Sequence, residues 1–239
     1  MTTPLRALVS GAGQRLGQAI ALALGQRGAH VVVHYHRSRT GAEETAAAIH
    51  ARGGRADLLQ ADLSDARAAR ELVDRAVEVL GGLDLLVPSA ANFERIPYDD
   101  LDDDALERAL GLNLAGPFAL AHQASPALRA SRGNIVFITC SSATAPYRNY
   151  LPYTVSKAAL RHLMRTLSLE LAPDVRVNAV APGTVLPPTS YTPAAIDKLA
   201  RAVPLQRIGS PEDVVRAVLY LHDSPFVTGQ ELVVDGGRS

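Results

Sequence analysis

The 239-residue chain is 47% hydrophobic and 20% charged, enough apolar content for one well-filled domain. Its 24 Lys plus Arg balance 24 Asp plus Glu, so there is no basic excess to neutralise a phosphate backbone or an anionic bilayer, and neither nucleic acid nor membrane is an expected partner. A single cysteine rules out an internal disulfide, the histidines lack partners at ligand spacing, and no leader pattern or membrane-length apolar run is present, which predicts a cytoplasmic, metal-free protein.

Short β-branched or leucine-rich runs at 5–10, 30–35, 55–60, 83–87, 134–139, 175–180 and 230–234 predict seven strands. Several are apolar without alternation, as in a parallel sheet covered on both faces, and the stretches between them carry 3.6-residue periodicity. That alternation predicts βαβ units. Helix starts are signposted by Thr40 with Glu43, by Ser64-Asp65, and by Ser210-Pro211-Glu212-Asp213 with proline at the first helical position. The least regular stretch, 183–192, contains Pro187 and Pro188 with Pro193 following, and predicts a loop over an active site, the substrate loop spanning about 183–203.

Directly after the first predicted strand comes Ser10-Gly11-Ala12-Gly13-Gln14-Arg15-Leu16-Gly17-Gln18, then a helical pattern. Glycines permit a tight turn and close backbone approach, while free N–H groups at the helix start favour a pyrophosphate. An ordinary strand-to-helix turn has the same look, so the flanking elements decide between them. The second strand ends His34-Tyr35-His36-Arg37-Ser38-Arg39, with no acid. A carboxylate there would bond the ribose hydroxyls of NAD and repel a 2′-phosphate. Arg37, helped by His36 and Ser38, offers charge-assisted hydrogen bonds instead, which predicts NADP(H). Tyr153 and Lys157 lie at i and i+4 of a helical run, so phenol and ammonium share one face. A nearby cation lowers a tyrosine pKa toward the working range, which suits proton exchange with an alkoxide.

The glycine turn, the Tyr-x-x-x-Lys pair, Val227-Thr228-Gly229-Gln230 and Val234-Asp235-Gly236-Gly237 together resemble the short-chain dehydrogenase/reductase family along nearly the whole chain. The resemblance implies an α/β, doubly wound Rossmann-like fold over residues 1–239 as one domain, with a seven-stranded parallel sheet and helices on both faces. It implies that Tyr153 passes the proton, that Lys157 assists and holds the nicotinamide ribose, and that Asn113 kinks a helix and holds a water in the proton path. Gly11, Arg15, Leu16, Gly17, Asp62, Leu63, Ala90, Pro182 and Gly183 are implied around the cofactor, Asp62 near the adenine and Pro182-Gly183 near the carboxamide. Relatives are commonly tetramers, so a homotetramer or homodimer is expected through the Tyr–Lys helix, the helix before it and the last strand. Leu160, Leu163, Met164, Leu167 and Leu171 give the Tyr–Lys helix apolar surface for this, or equally for core packing.

The chain departs from the family pattern at three places. Arg15 stands where a glycine is usual and is expected to pair with phosphate and face the substrate. Pro88-Ser89-Ala90-Ala91 replaces Asn-Asn-Ala-Gly, so local contacts must be rebuilt. Thirteen residues before Tyr153, at the family serine, stands Cys140; its thiol is a weak donor, and Ser141 or Ser142 are substitutes for it. Cys140 as a small buried side chain is an equal alternative. Arg15, the His34–Ser38 run and Phe93 resemble the pteridine reductase branch, in which an aromatic ring stacks the pterin, although that branch usually has Asp at the Cys140 position. The first expectation is therefore a pteridine-reductase-like enzyme, with Arg15, Phe93, Ser141 and Tyr153 around the substrate. Its closest rival reduces another small carbonyl compound, such as a 3-oxoacyl thioester. A sensor that binds NADPH without turnover is the alternative from another class, and Phe93 as a plain pocket wall fits as well as a stacking platform.

Overall fold

Every predicted strand forms in the computed structural model, which describes residues 4–187 and 191–239. They are β1 (Arg6–Val9), β2 (His30–Tyr35), β3 (Arg55–Gln60), β4 (Leu85–Val87), β5 (Asn134–Ile138), β6 (Arg176–Pro182) and β7 (Glu231–Val234). All pair in parallel, in the order β3-β2-β1-β4-β5-β6-β7. Near-continuous burial of β1, β2, β4, β5 and β6 is the physical reason their sequences do not alternate. β4 starts two residues later than the sequence predicts because Asp84 turns to Arg6, accepting from its backbone N at 2.9 Å and its Nη2 at 2.7 Å.

The helices are α1 (Arg15–Gln26), α2 (Arg39–His50), α3 (Ala66–Leu80), α4 (Asp103–Leu110), α5 (Gly116–Ser131), α6 (Leu151–Glu170), α7 (Pro193–Arg201) and α8 (Pro211–Asp223). Ile20, Leu24, Ile49, Val214 and Leu221 of α1, α2 and α8 pack on Val9, Val31 and Val33; Leu72, Leu120 and Leu160 of α3, α5 and α6 pack with Leu8, Val32 and Phe137 on the other face. Alternate residues of β2 thus feed opposite layers, and each such buried side chain contributes roughly 1.5–3 kcal/mol. Asp65 caps α3, accepting from Arg67 N at 2.8 Å, and Ser210 N donates to Asp213 Oδ2 at 2.8 Å at the start of α8. The start of α2 differs from its expectation: Ser38 holds the cap position without a side-chain bond, and Glu43 pairs with Arg39 at 2.8 Å.

Three features bear on the site. The strand order reverses between β1 and β4, so the carboxyl ends of these two strands open a crevice, the usual ligand position in open α/β sheets. Between α4 and α5, residues 111–115 form a π-helical turn, a kink that often marks a functional position. The expected proline loop ends where Thr192 Oγ1 accepts from Ala195 N at 3.3 Å and α7 begins; residues 188–190 of it lie outside the described residues. Of the two uses open to the apolar stripe of α6, the structure shows core packing. Leu160, Met164 and Leu171 are core, Leu163 and Leu167 pack against it, and the large apolar residues that α6 exposes are Leu151, Val155 and Leu169. Among the described residues, no helix is long and apolar enough to cross a membrane.

Candidate active site

A cavity of about 1210 Å³ opens along the carboxyl ends of the sheet. At one end it is walled by the turn after β1. Gly11 has φ +65°, and a Cβ there would lie 2.8 Å from Ala90 Cα, so only glycine gives both the left-handed turn and the close approach. Arg15, the residue that replaces a family glycine, keeps the glycine-like backbone at φ +55° and sends its guanidinium to the Leu186 carbonyl in the substrate loop. Ser10 Oγ accepts from Ser89 N at 2.9 Å and Ala90 N at 3.1 Å, which rebuilds the segment that lost its asparagines.

His34, from β2, braces this turn from below. Its Nδ1 accepts from Gly11 N at 3.1 Å and its Nε2 faces the Ala61 carbonyl at 3.2 Å, which fixes a neutral ring with the proton on Nε2. Burial pushes its pKa down from 6.5 to about 4. Next along the wall come His36, Arg37 and Ser38, with no acid on β2. Asp62 is on hand from the end of β3, but Oδ1 is spent on Ser64 Oγ at 2.7 Å and Ser64 N at 3.0 Å, and Oδ2 points to His36 Nε2 at 3.7 Å. These hydrogen bonds hold the Asp62 carboxyl below its ordinary range. The bare glycine turn at a helix start fits the pyrophosphate of a nicotinamide dinucleotide.

At the other end stand Tyr153, Lys157 and Cys140. Lys157 is buried, donates from Nζ to the Ile138 carbonyl at 2.8 Å, and lies 5.8 Å from the centre of the Tyr153 ring. Burial brings its pKa down to about 8. Tyr153 departs from expectation: burial, then the Cys140 thiol beside it, push the phenol well above its ordinary value, so it stands protonated as a donor. Phe93 meets Tyr153 edge-on, with centroids 4.7 Å apart, and stacks on Tyr150 at 4.4 Å, so one of its faces is already covered.

Of the cofactor positions expected from sequence, Gly11, Arg15, Leu16, Gly17, His36, Arg37, Ser38, Asp62, Leu63, Ala90, Pro182 and Gly183 all line this cavity. So do Phe93 and Cys140. Three expected residues do not, and one of them, Ser142, is simply buried outside it. Ser141 is turned away from the cavity, its hydroxyl 3.0 Å from Tyr147 OH, because residues 141–143 coil into a 3-10 turn after Cys140. Asn113 is fully buried behind the wall. Its Oδ1 accepts from Asn92 N at 3.0 Å and its Nδ2 donates to Ser156 Oγ at 3.0 Å. Sequence reasoning missed Tyr147, Thr184 and Arg238, which also line the cavity. Only Arg238 had a signal, a charge directly after Gly236-Gly237.

A family model described as enoyl-(acyl carrier protein) reductase matches residues 11–239. A Streptomyces violaceoruber protein, named as a candidate ketoacyl reductase 2 of the granaticin polyketide synthase, is 39% identical over 240 residues, covering 97% of this chain and 94% of its own. A versicolorin reductase of Emericella nidulans is 36% identical over 251 residues, with 97% and 94% covered. The crystal structure of a short chain dehydrogenase from Burkholderia cenocepacia in complex with NADP superimposes with a TM-score of 0.92 at 34% identity, covering 98% of this chain and 97% of that one.

Proposed function

Because this chain belongs to the short-chain dehydrogenase/reductase family, we propose that it is an NADPH-dependent carbonyl reductase in which Tyr153 is the proton donor. One observation carries this: a single cavity joins the acid-free His36-Arg37-Ser38 rim to Tyr153, Lys157 and Cys140. The NADP-bound neighbour and the relatives named as ketoacyl and versicolorin reductases support it. The pteridine expectation has less behind it. Cys140 leaves no carboxylate at that position to bond a pterin, and Phe93 already spends one face on Tyr150.

When bound, the nicotinamide supplies a hydride to the carbonyl carbon. Tyr153, protonated at neutral pH, gives its phenolic proton to the carbonyl oxygen, which becomes the alcohol. Lys157, protonated below about pH 8, stabilises the phenolate left behind. Arg37, with His36 and Ser38, grips the 2′-phosphate, and Arg15 faces both pyrophosphate and substrate. Asn113 acts as a positioning residue: through Ser156, whose hydroxyl donates to the Tyr153 carbonyl at 2.7 Å, it steadies the turn of α6 that bears Tyr153. A homotetramer built on α5, α6 and β7 completes the proposal, because Phe118, Val155, Leu169, Leu232 and Val233 leave those elements with exposed apolar side chains.

The test offers NADPH with 2,3-butanedione, acetoacetyl-coenzyme A and a dihydropterin. Carbonyl turnover is expected. Faster turnover of the dihydropterin would return the assignment to that branch, and NADPH binding without turnover of any of the three would favour a sensor.

A further inference from the structure

Charge develops on the substrate oxygen during hydride transfer, and preorganised hydrogen-bond donors aimed at it lower the barrier. Tyr153 is one such donor, and the position that would supply a second holds Cys140. That sulfur accepts from Ser142 N at 3.4 Å, and an S–H is a weak donor. Ser141, the sequence-adjacent substitute, does not line the cavity.

Tyr147 does line it, and its ring is held from several sides. The Arg238 guanidinium lies 5.5 Å from the ring centre while Arg238 Nη1 donates to Thr184 Oγ1 at 2.6 Å. Tyr150 meets the ring edge-on with centroids 6.3 Å apart, and Tyr150 in turn stacks on Phe93, the ring that touches Tyr153. The hydroxyl lies 3.0 Å from Ser141 Oγ and beside the Cys140 thiol. With Ser141 donating to it, the Tyr147 proton is left for the side on which Cys140 and the cavity lie.

We propose that Tyr147 supplies the hydroxyl missing at position 140: Ser141 donates to the Tyr147 oxygen, and Tyr147 donates to the substrate carbonyl oxygen beside Tyr153. Donors in series polarise one another, so Ser141 strengthens the bond that Tyr147 makes. The Arg238 cation over the ring acts in the same direction. Tyr147 is not consumed. The hydride goes to carbon, the proton comes from Tyr153, and Tyr147 only bonds the oxygen as its charge grows. Burial and the neighbouring Cys140 raise the Tyr147 phenol above its ordinary value, which keeps the donor proton in place at neutral pH.

This rests on the carbonyl-reductase assignment, and the experiment separates the two. With NADPH and 2,3-butanedione, Tyr147→Phe is expected to lower kcat about 10²-fold with NADPH affinity unchanged. Cys140→Ser is expected to raise kcat at least about tenfold in Tyr147→Phe but little in the unaltered protein, a dependence on Tyr147 that a purely structural role would not give. Wild-type kcat in Tyr147→Phe, or a loss that Cys140→Ser leaves unrecovered while NADPH still binds, overturns the role of Tyr147 and leaves the assignment standing. Failure of the unaltered protein to reduce either 2,3-butanedione or acetoacetyl-coenzyme A overturns both.

Discussion

One end of the cavity is shaped by the left-handed turn at Gly11, where Ala90 lies too close for a Cβ, and by the start of α1. The other end is lined by Phe93, Cys140, Tyr147, Tyr153 and Arg238 from separate segments. The first surface depends on where a chain can bend, the second on which hydroxyl or charge stands where. Damage at the cofactor end should therefore appear as lost affinity or stability, and damage at the substrate end as lost turnover.

The largest effect tests the substrate end. Tyr153→Phe removes the proton donor and should lower kcat about 10³-fold while NADPH fluorescence titration gives a nearly unchanged Kd. Retained turnover would remove the assignment. Next, Arg37→Ala should weaken NADPH about 10- to 100-fold, the worth of charge-assisted bonds to one phosphate, with little change for NADH. Equal losses for both cofactors would show that the rim does not read the 2′-phosphate. Gly11→Ala forces a Cβ into the left-handed turn and against Ala90, and should cost about 1–2 kcal/mol in denaturant unfolding as well as NADPH affinity.

The two ends should also separate by pH. Lys157 has a folded pKa of about 8, below its unfolded 10.5, so kcat/KM should fall as pH rises through about 8 and the ammonium is lost. Over the same window the unfolded chain holds the proton longer, so the penalty for burying that charge fades and stability rises while activity falls. His34 shifts stability in the same direction at lower pH. Its folded pKa of about 4 lies below the unfolded 6.5, so its contribution is complete above 6.5 and is lost as pH falls toward 4, at most about 3 kcal/mol. Acid unfolding monitored with and without NADPH would check this, because protonated His34 can no longer accept from Gly11 N. Smallest of all, Leu169→Lys on the outer face of α6 should shift the assembly seen by native mass spectrometry without unfolding the protomer, since that side chain is 80% exposed.

Much of the fold was legible because a parallel sheet buried on both faces writes itself into near-continuous apolar runs, and the one at 30–35 gave the bounds of β2 to the residue. β4 was misjudged at its start because the ion pair of Asp84 with Arg6 joins residues far apart in sequence. The apolar stripe of α6 left interface and core packing open, because periodicity marks a buried stripe without naming what buries it. In the site, the turn at Gly11 and the Tyr153–Lys157 spacing are local and were readable. The direction of the Tyr153 shift was not, since desolvation is set by everything packed around the hydroxyl.

The sequence by itself determined the parallel α/β plan, the phosphate turn, the acid-free end of β2 and the placing of Tyr153 and Lys157 on one helical face, because each is encoded within a few consecutive residues. Only the tertiary structure decided that Cys140 lines the cavity and Ser141 does not, that Asn113 lies behind the wall, and that Tyr147 and Arg238 line the same cavity as Tyr153. Arg238 follows Tyr147 by more than ninety positions. Contacts of that span arise when β7 closes beside β6 and carries the chain end back over the carboxyl edge of the sheet, an outcome of packing that no local pattern records.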